Sequence, residues 1–439
     1  MKLDNRRTIL VGFAFMAICA FWQVYDSIVP LILKNTFDVN DTVSGFIMAL
    51  DNILALFLLP FFGSLSDRTK TRIGRRMPYI LCGTVCACIF TVLLPIANHA
   101  KNLALFMTAL GLVLLSMATF RSPAVALMPD VTVKPLRSRA NAIINLTGTV
   151  GGIVMLGAIA LLVPAGEDPD YLPLFLFLVA FMLLCIIVLF FTIREPALHA
   201  KMLADSAALG EPEGEESEKT AAGPMPRDVR RSFFLVLASI FLWFMGYNAI
   251  TTAFSRYANI YWGLEGGAFA YTLIIAQAAA IAAYIPAGFL ATKFGRRKTI
   301  LGGVAMLAVA FGSCVFFKTF GGMIFFFFVL AGFGWAAINV NSYPMVVEMS
   351  RGSDIGKYTG YYYTTSMAAQ VITPVLSGAV LEYGYLLLGS ADPNAGYVFL
   401  FPYGTLFVAL SFVTMLFVRH GDAKPLPAQD KLEVFGGDD

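Results

Sequence analysis

The sequence predicts an all-α membrane protein: twelve transmembrane helices in two pseudo-symmetric six-helix bundles. Three observations predict this class. Of 439 residues, 58% are hydrophobic and only 13% charged, whereas soluble domains run at about 45–50% and about 25%. The apolar residues fall in continuous runs instead of helical stripes or strand alternation, and each run reaches the ~20 residues that cross a bilayer. The loop after the second run is echoed after the eighth, so the second half repeats the first. A soluble enzyme, a secreted disulfide scaffold, a disordered chain and a nucleic-acid binder are all excluded.

The spans are drawn at 8–33, 42–65, 77–97, 102–129, 139–163 and 172–193, then 232–254, 267–290, 299–317, 322–347, 358–383 and 397–418. Helices are the only open-ended structure that satisfies its own backbone inside lipid. Span 1 follows Lys2, Arg6 and Arg7, which resembles a signal-peptide start. It runs on for about 26 residues, past the ~7–15 of such a segment, so it is read as a retained span. Spans 1 and 2 each hold an acid, Asp26 in WQVYDSIVP and Asp51 in FIMALDNIL. Span 3 holds half of the six cysteines, and the rest also lie in apolar runs, where they read as small buried residues. Span 4 holds Arg121. Span 5 carries Asn141 and Asn145 four apart, and span 6 is apolar throughout.

Residues 194–231 break this pattern with an acidic stretch rich in Gly and Pro. They form a cytoplasmic linker, read as a solvated connector with a short amphipathic helix near 198–209. The chain thus divides into an N-terminal bundle (1–193), the linker (194–231), a C-terminal bundle (232–418) and a cytoplasmic tail (419–439). Spans 7 to 9 complete the echo of the first half. Span 10 contains the run Phe325 to Val329, read as lipid-facing bulk, followed by Trp335, Asn339 and Tyr343 on one face. Span 11 repeats Tyr362, Ser366 and Gln370 at the same spacing, and span 12 returns the chain to the starting side.

Basic residues orient the molecule. The loops and ends on the side of the termini hold 26 Lys and Arg, and the opposite loops hold 4 (Lys34, Lys101, Arg256 and Lys318). The positive-inside rule places both termini in the cytoplasm, in the cytoplasmic membrane.

The echo itself is GSLSDRTKTRIGRR, Gly63 to Arg76, against GFLATKFGRRK, Gly288 to Lys298. Two spans after each loop-forming span, the chain ends a helix in an acid, Asp130 in the first half and Glu348 in the second. Repeats of this kind mark transporters whose two bundles rock about a central site. Asp67 is placed to meet Arg68, Arg75 and Arg76, with Asp130 a second partner. In the second half Glu348 matches Gly295, Arg296 and Arg297, while Thr292 stands where an Asp would complete the pattern. Gly63 and Gly74 fit close approach and a turn. These residues are expected to form cytoplasmic conformational latches.

This loop resembles the signature of the major facilitator superfamily. Its extended form, SDRTKTRIGRRMPYI (Ser66 to Ile80), and RSPAVALMPD (Arg121 to Asp130) are similar to the glycoside–pentoside–hexuronide:cation symporter family, on the branch that contains sucrose transporters. The resemblance implies the major facilitator fold and cation-coupled sugar uptake. Melibiose-type members carry an Asp in this fourth-span motif, where this chain has Arg121-Ser122-Pro123. They also carry two span-2 acids for sodium, where this chain has Ala55 and Leu59. The resemblance therefore implies proton coupling, with sodium the weaker candidate.

An ionisable group inside a span is a functional hypothesis by default. Counting from the ends of their spans, Asp26 and Asp51 lie roughly 10–15 Å below the outer surface, and Arg121 about 28 Å down, nearer the cytoplasm. Two acids and one base leave a surplus negative charge that a proton or cation can neutralise, so Asp26 and Asp51 are the coupling candidates. Arg121 either donates to a sugar hydroxyl or pairs structurally with a carboxylate. Trp22, Gln23, Asn52, Asn145, Trp335, Asn339, Tyr362 and Gln370 complete the substrate candidates, because a sugar site needs amides for hydroxyls and an aromatic face for the ring.

There is no phosphate-binding Gly-rich loop, no HExxH and no nucleophile elbow, and the three histidines lie in loops or tails. The sequence therefore predicts no enzyme, no cofactor and no resident metal. The expected function is proton-coupled symport of a sugar or glycoside by alternating access, by a monomer whose partners are the solute and the lipid bilayer. An exporter or antiporter of an amphipathic compound, or a non-transporting solute sensor, are the alternatives.

Overall fold

The structure, a computed structural model, describes residues 3–133, 136–166, 169–208, 227–349 and 355–420. The first half comprises α1 (Asn5–Asn35), α2 (Asp41–Arg68), α3 (Met77–His99), α4 (Leu103–Asp130), α5 (Arg137–Leu162) and α6 (Leu172–Thr192). A short α7 (Glu195–Ala208) follows. The second half comprises α8 (Arg227–Ile260), α9 (Ala270–Phe294), α10 (Arg296–Cys314), α11 (Met323–Glu348), α12 (Ile355–Leu387) and, after the 3-10 turn Pro393–Phe399, α13 (Leu400–Leu416). Among the described residues twelve helices are long and apolar enough to cross a membrane, and no strand occurs.

Local chemistry sets the helix starts. Asp4, Asn40 and Asn102 cap α1, α2 and α4, each accepting from a backbone N–H three residues on, at 2.9–3.0 Å. Prolines lie beyond the first turn in seven of the helices. Neighbouring helices and hydroxyl side chains re-satisfy the freed groups, so membrane helices tolerate them.

Within the first half, α1 packs on α5 and α6, and α3 packs on α4 and α6. Within the second, α8 packs on α12 and α13, and α11 packs on α9 and α10. The halves meet through α2 on α12, α5 on α9 and α1 on α8. Exchanging the halves turns the first pair into the second and the third into itself, which is the pseudo-symmetry the loop echo predicted. We call the end that carries residues 3 and 420 the terminal face, and the other the distal face.

Three expectations are corrected. The spans of the second half shift: α8 is longer than 232–254, α10 starts at Arg296 rather than 299, and the last span begins with a 3-10 turn. The Phe run is not lipid-facing bulk. Phe325, Phe327 and Phe328 pack on Phe320, Phe317 and Phe254, and Phe326 alone of the four is exposed. Nor is the linker solvated where it begins. Its expected helix is α7, and Glu195 is 2% exposed beneath the first half.

Candidate functional site

Asp26 of α1, Asp51 and Asn52 of α2, and Arg121 of α4 line one central cavity of about 150 Å³ together with Trp22. The second half closes the cavity with Asn248, Thr251 and Thr252 of α8 and Gln370 of α12. Asn248, Thr251 and Thr252 sit at helical spacing, so one face of α8 supplies them all. Asp26, Asp51 and Arg121 are each half-buried and line this cavity although they lie mid-helix.

The depth count placed Arg121 too far from the acids. Side chains lean toward the N-terminus of their own helix. Since α4 starts at the distal face, Arg121 leans back toward that face, while Asp26 on the oppositely running α1 leans the other way, and both line the same cavity. The Arg121 guanidinium lies 5.6 Å from the centre of the Trp22 ring, a cation–π contact. Asn52 Nδ2 donates to Asp51 Oδ1 at 2.8 Å. The indole Nε1 of Trp22 and the Nδ2 of Asn248 are buried donors with no partner among the described residues. They are two N–H groups beside a polar cavity, suited to an oxygen-bearing solute.

The other substrate candidates scatter. Gln23 contacts Ser27 at 3.1 Å and accepts from Gln277 at 2.7 Å, joining the halves beside the cavity. Trp335 stacks on Tyr247 at 3.8 Å. Tyr362 is buried, with its hydroxyl 3.2 Å from Ser342. Asn339 is exposed; Asn145 is exposed too and donates to the Asn141 carbonyl on its own helix. Sequence reasoning missed the whole α8 face. Its signal was available as Asn248, Thr251 and Thr252 at spacings of three and four inside an apolar span.

The terminal loop of the first half is a dense polar knot. Asp130 receives Arg75 at 2.7 Å and Arg76 at 2.7 Å, and Asp67 pairs with Arg76. Arg76 also donates to Ser66 and, at 3.3 Å, to the Gly63 carbonyl. Burial alone would weaken the charge of Arg76, but Asp130 and Asp67 outweigh it and hold the guanidinium above its ordinary value. Arg68 ends α2, exposed. Glu195 from α7 completes the knot. Its carboxylate accepts from the backbone N–H groups of Arg75, Arg76 and Met77 at 2.8–3.1 Å, an anion on the first turn of α3. Gly74 adopts φ +121, and a Cβ there would run into this carboxylate. Every described bond of the knot stays inside the first half and α7.

In the second half Gly295, at φ +91, separates α9 from α10. Arg297 donates to the Leu416 carbonyl at 2.6 Å, and Arg296 opens α10. The side chain of Glu348 lies outside the described residues.

Besides the Gln23–Gln277 bond, a polar cluster joins the halves at the distal face. Arg256 near the end of α8 pairs with Asp41 at the start of α2, at 3% and 4% side-chain exposure. Tyr397 donates to the same Asp41 oxygen at 2.7 Å, and the Thr42 N–H donates to Glu382 at 2.9 Å. Gly45 lies against the Pro374 carbonyl, where no Cβ would fit. These contacts close the two halves against each other at the distal end.

The profile of the Major Facilitator Superfamily matches residues 11–283 and 262–435. The chain is 27% identical to the sucrose transport protein SUC3 of Arabidopsis thaliana over 142 residues, which is 28% of this chain and 24% of that relative. Among solved structures it resembles the inward-open xylose transporter XylE from E. coli, with a TM-score of 0.67 at 13% identity, over 98% of this chain and 99% of that one. It also resembles a bacterial homologue of the human lysosomal transporter Spinster, with a TM-score of 0.67 at 15% identity, over 97% and 100%. These likenesses establish the shared fold.

Proposed function

The chain belongs to the Major Facilitator Superfamily, and from that premise we propose that this multi-pass membrane transporter carries a sugar or glycoside inward with a proton, by alternating access. Both termini lie in the cytoplasm, as the 26-to-4 split of basic residues supports. One observation carries the reading. A single cavity brings two carboxylates and one guanidinium from the first half against a neutral amide-and-hydroxyl wall from the second. The surplus negative charge offers a place for a proton at Asp26 or Asp51. Arg121, Asn52, Asn248 and Gln370 offer hydrogen bonds to hydroxyls, and Trp22 offers a ring face. The polar lining favours a hydrophilic solute over an amphipathic one, and the partial likeness to a sucrose transporter points the same way.

The cycle asks the distal seal of Asp41, Arg256 and Tyr397 to open while the terminal face closes. One chain surrounds the whole cavity, so a monomer suffices.

The test is electrogenic uptake. Purified protein in liposomes is offered a panel of mono- and disaccharides under imposed proton or sodium gradients. The expected result is a sugar-evoked current under a proton gradient, lost in Asp51→Asn. No current with any sugar and gradient would sink the symport reading, and coupled uptake that survives Asp51→Asn would remove its coupling role.

A further inference from the structure

Arg6 and Arg7 at the start of α1 and Arg194 between α6 and α7 share a second cavity, of about 400 Å³, on the terminal face. It is separate from the central site. Among the described residues none of the three arginines has an ion-pair partner, unlike Arg75 and Arg76 close by in the same half. The one acid at the rim, Asp4, caps α1 by accepting from the Arg7 N–H at 3.0 Å. The floor is apolar, with Leu10 and Ile193. Ile9 and Phe191, on the same two helix ends, are 45% and 77% exposed, so apolar surface adjoins the cavity where the two spans end.

From this geometry we infer that the cavity binds the headgroup of an anionic phospholipid from the leaflet on the terminal face. Guanidinium forks match phosphate oxygens bidentately. Basic pockets at the cytoplasmic ends of membrane helices suit acidic headgroups, with an apolar wall left for the acyl chain. A soluble phosphate shares the anion chemistry but has no use for Leu10, Ile193 and the adjoining apolar surface, and that difference favours the lipid. The site also reaches the polar knot, because Arg194 directly precedes Glu195, which holds the α3 start.

The experiment is native mass spectrometry of the full chain in detergent, titrated with palmitoyl-oleoyl phosphatidylglycerol, with phosphatidylcholine of the same chains, and with inorganic phosphate. Wild type is expected to retain phosphatidylglycerol at least about fivefold better than phosphatidylcholine. The triple variant Arg6→Gln, Arg7→Gln, Arg194→Gln loses that preference. A control triple on the same face, Lys70→Gln, Arg72→Gln, Arg230→Gln, keeps it within about twofold, since these charges lie outside the cavity. Should the glutamine triple fail to insert, the charge-preserving triple of Arg→Lys at the same three sites decides, and it is expected to lose about two- to threefold because lysine lacks the fork. Equal retention of the two lipids, an equal loss in the control triple, an unchanged Arg→Lys triple, or full displacement of the lipid by inorganic phosphate would each overturn the assignment.

Discussion

The two ends of this molecule use the same chemistry for opposite purposes. At the terminal face, Arg75, Arg76, Asp67, Asp130 and Glu195 tie α2, α3, α4 and α7 together inside one half. At the distal face, Arg256, Asp41 and Tyr397 tie one half to the other. A bond inside a half can persist through a rocking cycle and keeps that half rigid. A bond between halves has to break each time the distal face opens. In this state the polar bonds at the distal cluster join the two halves, whereas those of the Gly-Arg-Arg loop lie within the first half and α7. The sequence drew attention to the loop motifs as latches, and the distal cluster adds a second set of bonds, this one between the halves.

The largest effect is expected at the distal cluster. Arg256→Ala leaves Asp41 buried without its cation, and breaking a buried pair this way costs about 3–5 kcal/mol. A reporter cysteine at Thr251 in a background without native cysteines should label at least about tenfold faster from the distal side. Unchanged labelling would end the seal reading. Glu195→Ala comes next. It strips three backbone N–H groups of their acceptor, for a loss of about 2–4 kcal/mol. The purified protein should melt several degrees lower while distal labelling stays at the wild-type rate. If distal labelling rose as well, the two ends would not be separable as drawn.

Gly74→Ala should repeat the Glu195 result on a smaller scale, at about 1–3 kcal/mol, because a side chain is forced to positive φ against that carboxylate. Thermal unfolding reads it directly. The smallest effect is Tyr397→Phe, which removes one hydrogen bond from Asp41 but leaves Arg256 in place, for about 0.5–1.5 kcal/mol. It should raise distal labelling modestly. A Tyr397→Phe effect as large as that of Arg256→Ala would mean that the phenol, and not the ion pair, holds the seal.

What the sequence made legible was whatever repeats locally. Run length placed the twelve spans, and the rarity of charge in lipid marked Asp26, Asp51 and Arg121, which the structure gathers in one cavity. What stayed hidden was pairing across long separations. Asp41 and Arg256 are 215 residues apart, and Asp41 and Tyr397 are 356 apart. Arg256 read simply as one of four bases on the far side. Glu195 was concealed by the polar composition of its linker. A local signal did exist there, since Glu-Pro opens α7 in the order favoured for a first helical turn. Arg121 was misplaced in depth because residue counting ignores which way a side chain leans.

Two carboxylates and one guanidinium in a shared cavity also have an electrical consequence. Under the proposed coupling, a proton and a neutral sugar bring the site to zero net charge, so the loaded carrier crosses without feeling the membrane potential. The empty site carries about one negative charge, on which 100 mV exerts about 2.3 kcal/mol for full passage through the field. A potential negative inside drives that charge outward. The voltage then acts on the return of the empty carrier, resetting the site to face the solute supply.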